Sequence, residues 1–251
     1  MGAKYKGKKV GSLADISFFS FGRDKVISSV SGGMILCRNK SLYDILKNQR
    51  DALSYPGPFW LLQQLLHPIM FSLIIPFYNF GCNRFTLGKM MLFLLQKVNL
   101  LSKAVYNEEK LGKRPKHFPA KMPGALAVLA INQFKKLDGF NKHRREIADF
   151  YFKNMNRNRF KLPVKKTGSI YVRFPVTLNN ADRLFDEFKN KGVLLGDWYR
   201  DCVVPVKDPR LVGYIRGSCS KAEELCGKML NLPTYPCFNI NDAKYLLSLI
   251  K

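Results

Sequence analysis

The sequence predicts an α/β protein in two parts: a sheet domain with a chemically distinctive loop at its strand ends, and a smaller α/β domain at the C-terminal end. Three observations predict it. Two short apolar runs, 16–21 and 34–37, read as strands joined by a Gly-containing loop, the kind of place where an open α/β sheet binds a ligand. Helical periodicity then dominates 123–155. From Ser169 the pattern changes to the alternation and β-branching of a strand, Ile170-Tyr171-Val172-Arg173-Phe174-Pro175-Val176, followed by further helices. The chain has 251 residues, 47% of them hydrophobic, enough for one large domain or two smaller ones; disorder is not the expected class.

Taken in order, residues 41–53 read as a helix capped by Ser41. The most apolar stretch is 59–80, with Trp60-Leu61-Leu62, Leu65-Leu66, Ile69-Met70-Phe71 and Leu73-Ile74-Ile75. Gln63, Gln64, His67 and Pro68 interrupt it and Pro76 ends it, leaving pieces shorter than the roughly 20 residues of a membrane span. A buried helical insertion is the preferred reading; a hairpin lying in a membrane interface, or packed on a partner subunit, is the alternative. Residues 87–104 continue with helical periodicity and positive charges at Lys89, Lys97 and Lys103.

Residues 123–137 and 141–155 form one amphipathic helix, or two joined near Gly139, with Leu126, Leu129, Gln133 and Leu137 on related faces. After the strand comes a helix over 180–191 with a stop at Gly192. Two more helices are expected over 221–230 and 241–250, the second begun by Asn241-Asp242. The expected division is therefore 1–160, with an apolar helical insertion at about 54–114 and a connecting helix, and a small α/β domain over 161–251.

Forty-two Lys and Arg against 18 Asp and Glu give a net charge of +24, which favours anionic partners such as nucleotide sugars, phosphorylated membrane surfaces or nucleic acid. The basic residues are scattered and form no concentrated helix face, so nucleic acid is the least favoured of these. Six cysteines stand at 37, 82, 202, 219, 226 and 237 with no Cys-x-x-Cys pair, a pattern that fits reduced thiols in the cytoplasm. Three histidines, at 67, 117 and 143, have no ligand spacing to one another, and no metal is expected.

The most informative run is Ser20-Phe21-Gly22-Arg23-Asp24-Lys25, continued by Ser28-Ser29-Val30-Ser31-Gly32-Gly33. A hydroxyl five residues before a lysine can hold a phosphate while the amine reaches an aldehyde on the same molecule. A Gly-Gly pair lets the next segment pass close by without side chains. Pyridoxal phosphate needs that geometry, which makes Lys25 a candidate Schiff-base lysine.

The order Gly2-Ala3-Lys4-Tyr5-Lys6-Gly7 through Asp15-Ile16-Ser17-Phe18-Phe19-Ser20-Phe21 resembles the DegT/StrS family of pyridoxal-phosphate sugar aminotransferases. Met122-Pro123-Gly124-Ala125-Leu126-Ala127, Gln133-Phe134-Lys135-Lys136-Leu137-Asp138 and Asn141-Lys142-His143-Arg144-Arg145-Glu146 are similar to its connecting helix. Tyr171-Val172-Arg173-Phe174-Pro175, Trp198-Tyr199, Ala222-Glu223-Glu224 and Asn231-Leu232-Pro233-Thr234-Tyr235-Pro236 are similar to its small domain. Two departures stand out: Ser31 where the family usually has an acidic residue before the Gly-Gly, and Pro119-Ala120 where it usually has asparagine and tyrosine.

The resemblance implies the pyridoxal-phosphate-dependent transferase fold type I, like aspartate aminotransferase, as a truncated large domain plus the small C-terminal α/β domain. The matching pieces belong to the second half of such an enzyme, so a large N-terminal portion is expected to be missing and Met1 to be an internal methionine. It further implies pyridoxal 5'-phosphate as cofactor, a nucleotide-linked keto sugar as substrate, an amino-acid donor such as glutamate, a role in surface-polysaccharide or glycan synthesis, and a homodimer. Lys25 would be the catalytic lysine, and Ser20 would donate to the cofactor phosphate unless it merely caps a turn. Arg23 would meet the phosphate or a donor carboxylate, or stay solvated. Trp198 and Tyr199 would contact substrate or pack as a core pair. The rival reading is a catalytically inactive remnant that binds an anionic membrane or a partner protein through 59–80.

Overall fold

The computed structural model describes residues 1–78, 80–82 and 85–250; Asn79, inside the apolar segment 59–80, lies outside them. The chain divides into two compact units. One comprises Met1, Gly11–Glu109 and Lys113–Lys135; the other comprises Gly2–Val10, Lys110–Gly112 and Lys136–Lys251. The chain opens with a two-residue ladder of the second unit, β1 (Lys4–Tyr5) antiparallel to β2 (Lys8–Lys9).

In the first unit, β3 (Ile16–Ser20) pairs antiparallel with β4 (Gly33–Cys37), Ser20 opposite Gly33 and Ile16 opposite Cys37. Both strands fall where apolar runs predict them. Their faces are open, with Phe18 86% exposed. Helix α1 (Lys40–Ala52) is capped by Asn39, whose side chain accepts from the Ser41 and Leu42 N–H groups. The expected cap at Ser41 is thus corrected: Ser41 is already helical and donates its hydroxyl to Asn39.

Helix α2 (Pro58–Ile74) runs unbroken through Pro68 and is followed by a 3-10 turn, Ile75–Phe77. Two expectations for this segment are overturned. It is not divided into short pieces, and it is not buried: only Gln64 and Ile74 of α2 are. A two-residue ladder, β5 (Gly81–Cys82) with β6 (Phe85–Thr86), leads into α3 (Leu87–Lys97). α3 ends well before 104, because Asn99 takes a left-handed conformation (φ +56°) that breaks the helical path. Gly88 lies so close to the 3-10 turn that a Cβ there would fall 2.4 Å from the Tyr78 Cα. The turn α4 (Asn107–Lys110) and helix α5 (Gly124–Lys135) follow.

In the second unit, α6 (Leu137–Asn154) begins after a one-residue interruption at Lys136 (φ −94°, ψ −1°). Gly139, the expected joint, is inside α6. The sheet is one antiparallel pair, β7 (Phe174–Thr177) and β8 (Met229–Leu232), with Phe174 opposite Leu232 and Val176 opposite Leu230. β7 is shorter than the alternation over 170–176 predicts, because Tyr171 has φ +46° and the Thr234 hydroxyl donates to the Tyr171 and Val172 carbonyls instead. Helix α7 (Ala181–Asn190) stops at Gly192 (φ +76°) as its sequence predicts.

The helix expected over 221–230 is half helix and half strand. α8 (Ser220–Leu225) ends at Cys226, Gly227 turns the chain with φ +74°, and β8 begins at Met229. The last helix, α9 (Ile240–Ser248), carries a capping box: Asn239 accepts from the Asp242 N–H while Asp242 accepts from the Asn239 N–H. The core forms where α6 and α9 meet the β7–β8 pair: Ile147, Tyr151, Phe174, Leu230, Leu232 and Leu246 are almost fully buried. Tyr151 and Phe152 place their rings 5.1 and 4.8 Å from that of Phe174. The buried Tyr151 hydroxyl donates to the Pro233 carbonyl at 3.0 Å, which satisfies its polar end.

Candidate active site

The loop between β3 and β4 is a built structure. Phe21 and Ile27 are buried and anchor it, the Phe21 N–H donates to the Gly32 carbonyl at 2.9 Å, and the Ser29 N–H donates to the Phe21 carbonyl at 3.0 Å. The Ser29 side chain, itself buried, donates to the Ser31 carbonyl at 3.0 Å, and the Ser28 hydroxyl accepts from the Val30 N–H at 3.0 Å. Those serine contacts hold Val30 at φ +70°, a conformation unfavourable for a β-branched residue. Gly32 (φ +130°) passes so close to Met122 that a Cβ would lie 2.8 Å from its sulfur, and a Cβ on Gly33 would lie 3.0 Å from the Phe19 carbonyl. Glycine is thus favoured at 32 by its φ of +130° and at 33 by the close Phe19 backbone.

Gly22 lies at the centre of the predicted residues. The Lys25 N–H donates to its carbonyl at 3.1 Å, forming a tight turn, and its own N–H donates to the Ser20 hydroxyl at 3.3 Å. A Cβ on Gly22 would occupy space between the Ser20 Oγ (3.5 Å), the Asp24 Oδ1 (3.6 Å) and the Lys25 Cγ (4.0 Å). Ser20, Asp24 and Lys25 thus surround Gly22 at ordinary van der Waals distances, which would admit a Cβ there. The Lys25 amine pairs with Asp24 at 3.3 Å and keeps 45% of its side chain exposed, so the pair is weak and the amine can leave it.

Arg23 is half-buried rather than solvated. Its guanidinium donates to the Ser102 hydroxyl and to the Lys103 carbonyl (3.4 Å). Burial lowers its pKa below the ordinary value, with Tyr106 opposing. Ser102, itself buried, is a partner that sequence reasoning missed: it lies 79 residues away and no local spacing points to it.

Trp198 and Tyr199 belong to the second unit and are not core residues: Trp198 is half-buried and Tyr199 exposed. Their rings stack at 5.8 Å with 20° between planes, and the Arg173 guanidinium lies 3.4 Å from the Trp198 centroid. Gly196 and Asn231 exchange two backbone hydrogen bonds of 3.0 and 2.7 Å, and the Asn231 amide donates to the Trp198 carbonyl. The result is an open aromatic shelf backed by a cation, suited to a planar or sugar-like anionic group. Arg173 is the shelf residue that the sequence reading did not single out, although its neighbours carry the family resemblance.

The Cys202 and Cys226 sulfurs come within 3.5 Å, a pairing their spacing does not reveal, and burial with the neighbouring Cys202 raises the Cys226 thiol to about 11. Among the described residues, no group of three His, Cys, Asp or Glu side chains could hold a metal ion.

Ser20, Gly22 and Lys25 offer a hydroxyl donor, an open glycine and a primary amine on one turn, the donor set that binds a phosphate beside an aldehyde. That set fits pyridoxal phosphate. The chain matches the DegT/DnrJ/EryC1/StrS aminotransferase family over residues 1–58 and 93–251, and it belongs to that family. A curated relative is the UDP-4-amino-4,6-dideoxy-N-acetyl-beta-L-altrosamine transaminase of Campylobacter jejuni. It is 25% identical over 256 residues, covering 98% of this chain and 54% of the relative.

The fold is that of solved aminotransferases of fold type I. Helicobacter pylori PseC, an aminotransferase involved in the biosynthesis of pseudoaminic acid, aligns with a TM-score of 0.63 at 17% identity over 99% of this chain and 56% of that one. A Streptococcus pneumoniae structure in its PLP form aligns with a TM-score of 0.64 at 17% identity over 100% and 54%. Pyridoxal phosphate is the cofactor of this family. The chain spans about half the length of the relatives it matches.

Proposed function

We propose that this chain supplies the lysine-bearing part of a pyridoxal-phosphate aminotransferase that moves an amino group from an amino acid, with glutamate as donor, to the keto carbon of a nucleotide-linked sugar during surface-polysaccharide or glycan synthesis. The observation that carries this reading is the placement of Ser20 and Lys25 on one tight turn about Gly22, whose N–H donates to the Ser20 hydroxyl and whose carbonyl accepts from the Lys25 N–H. The cofactor, when bound, supplies an electron sink for cleaving the bond between the reacting carbon and its hydrogen. The Ser20 hydroxyl would donate to its phosphate. The Lys25 Nζ, freed from Asp24, would take the proton from the donor's α-carbon and return it to C4′ of the cofactor, and run the same two transfers in reverse on the sugar. The donor leaves as its 2-oxo acid and the sugar gains the amine.

Arg23, tied to Ser102 and Lys103, would hold the loop that carries Lys25 in place. Trp198 and Tyr199, with Arg173 behind them, would stack on the sugar or its nucleotide. In this reading residues 1–160 belong to the large cofactor domain and 161–251 to the small one, the open faces of β3 and β4 are covered by further sheet, and the enzyme works as a cytoplasmic homodimer. The test is borohydride trapping with stoichiometric pyridoxal phosphate, followed by peptide mapping. One adduct on Lys25, lost in Lys25→Ala and weakened in Ser20→Ala, supports the reading. Adducts scattered over surface lysines, with no preference for Lys25, overturn it.

A further inference from the structure

Helix α2 is apolar on most of its circumference, and its two buried residues are Gln64 and Ile74. Gln64 and His67 sit on the side that meets the rest of the unit, beside Trp60, whose indole N–H donates to the Tyr106 hydroxyl at 3.1 Å. The opposite stripe, Phe59, Leu62, Ile69 and Leu73, recurs at helical spacing and is about half exposed or more, from 49% at Leu62 to 58% at Leu73. The apolar surface continues around the tip at Ile75 and Phe77 and onto α3, where Phe93 is 65% exposed. Pro58–Phe77 is long and apolar enough to cross a membrane by length and composition, yet it is not the core of its unit, since Gln64 and Ile74 are its buried residues.

We propose that the α2–α3 hairpin is a monotopic membrane anchor that inserts its apolar face into one leaflet of an anionic bilayer. Charge favours a lipid surface over a protein face: from Ala52 to Asn107 there is no Asp or Glu, while Arg84, Lys89, Lys97 and Lys103 are basic. The family match stops at 58 and resumes at 93, so α2 and the start of α3 lie outside it, while Phe93 to Lys97 of α3 lie within it. A crossing is disfavoured for two reasons. Both flanks of the hairpin belong to the same enzyme body and so stay on one side. And α3, with 11 residues, rises only about 16 Å against a hydrocarbon core of about 30 Å.

The test is flotation of the purified chain with phosphatidylcholine vesicles, with and without phosphatidylglycerol, and its readout is independent of cofactor and activity. The wild type is expected to float with the anionic vesicles. The triple variant Leu62→Glu, Ile69→Glu, Leu73→Glu should reduce the floated fraction at least about tenfold, since each charge placed in an apolar phase costs kcal/mol. Its far-UV circular dichroism should stay that of the wild type, because these side chains already face outward. A second variant on the other arm, Phe93→Glu with Leu94→Glu, should weaken flotation as well. Three outcomes overturn the proposal: no flotation of the wild type; flotation unchanged in both variants, which assigns binding to diffuse positive charge; or a non-floating wild-type dimer that the triple variant dissociates, which makes the face an interface between copies.

Discussion

The Arg173 guanidinium carbon lies over the Trp198 indole, 3.4 Å from the ring centroid, and the Tyr199 ring stacks on the indole at 5.8 Å. A cation over an aromatic face contributes about 0.5–2 kcal/mol depending on desolvation. Arg173→Ala is therefore expected to free the indole and shift Trp198 emission to the red, read in a Trp60→Phe background so that one tryptophan reports. Arg173→Lys should recover only part of the shift, because an ammonium keeps the charge and loses the planar stack.

The second unit should depend heavily on Phe174. Its ring is fully buried between Tyr151 and Phe152 and stands opposite Leu232 in the sheet. Phe174→Ala is expected to cost about 3–5 kcal/mol through lost burial and the cavity left behind. Thermal unfolding followed by circular dichroism checks it, and a loss below about 1 kcal/mol would mean the core collapses around the gap.

Gly88 is the tightest point of the apolar hairpin, since an added methyl would meet the Tyr78 Cα at 2.4 Å and its backbone N at 2.9 Å. Backbone cannot rotate away as a side chain can. Gly88→Ala should therefore destabilise the packing of α3 on the turn after α2 by about 1–3 kcal/mol. Faster amide exchange in α3, with the second unit unchanged, is the expected signature.

His67 predicts a pH dependence. Burial, and secondarily the Arg23 charge, push its pKa from 6.5 down to about 4, and its buried Nδ1 has no hydrogen-bond partner. Below the unfolded value the unfolded chain takes up a proton that the folded imidazole refuses. Its contribution to stability is therefore complete above pH 6.5, declines as the pH falls, and is lost by about pH 4. Urea midpoints measured across that window should fall more steeply in the wild type than in His67→Gln.

What was legible in the sequence had local causes. β3 and β4 follow from consecutive apolar residues, the end of α7 from Gly192, and the Ser20–Lys25 turn from fixed spacing around Gly22. What was illegible depended on partners far away in the chain. Met229–Leu232 reads as the end of a helix until β7 is there to pair with it. Pro68 looks like a breaker, yet α2 continues through it. The outward face of α2 could not be inferred from its apolarity, which is the usual signal for burial. Ser102 at Arg23 and Arg173 at Trp198 are likewise contacts that only the fold creates.

The second unit is discontinuous in sequence. Gly2–Val10 is grouped with it, and the Lys4 N–H donates to the Gly168 carbonyl at 2.9 Å, where Gly168 (φ +87°) comes so close that a Cβ would strike the Lys4 carbonyl at 2.3 Å. Segments far apart in the sequence, around Lys4 and around Gly168, thus complete one another. A cassette cut at Lys136 would leave that seam unstitched, so this unit cannot be shuffled between proteins by a single crossover; it travels with Gly2–Val10 or arrives incomplete.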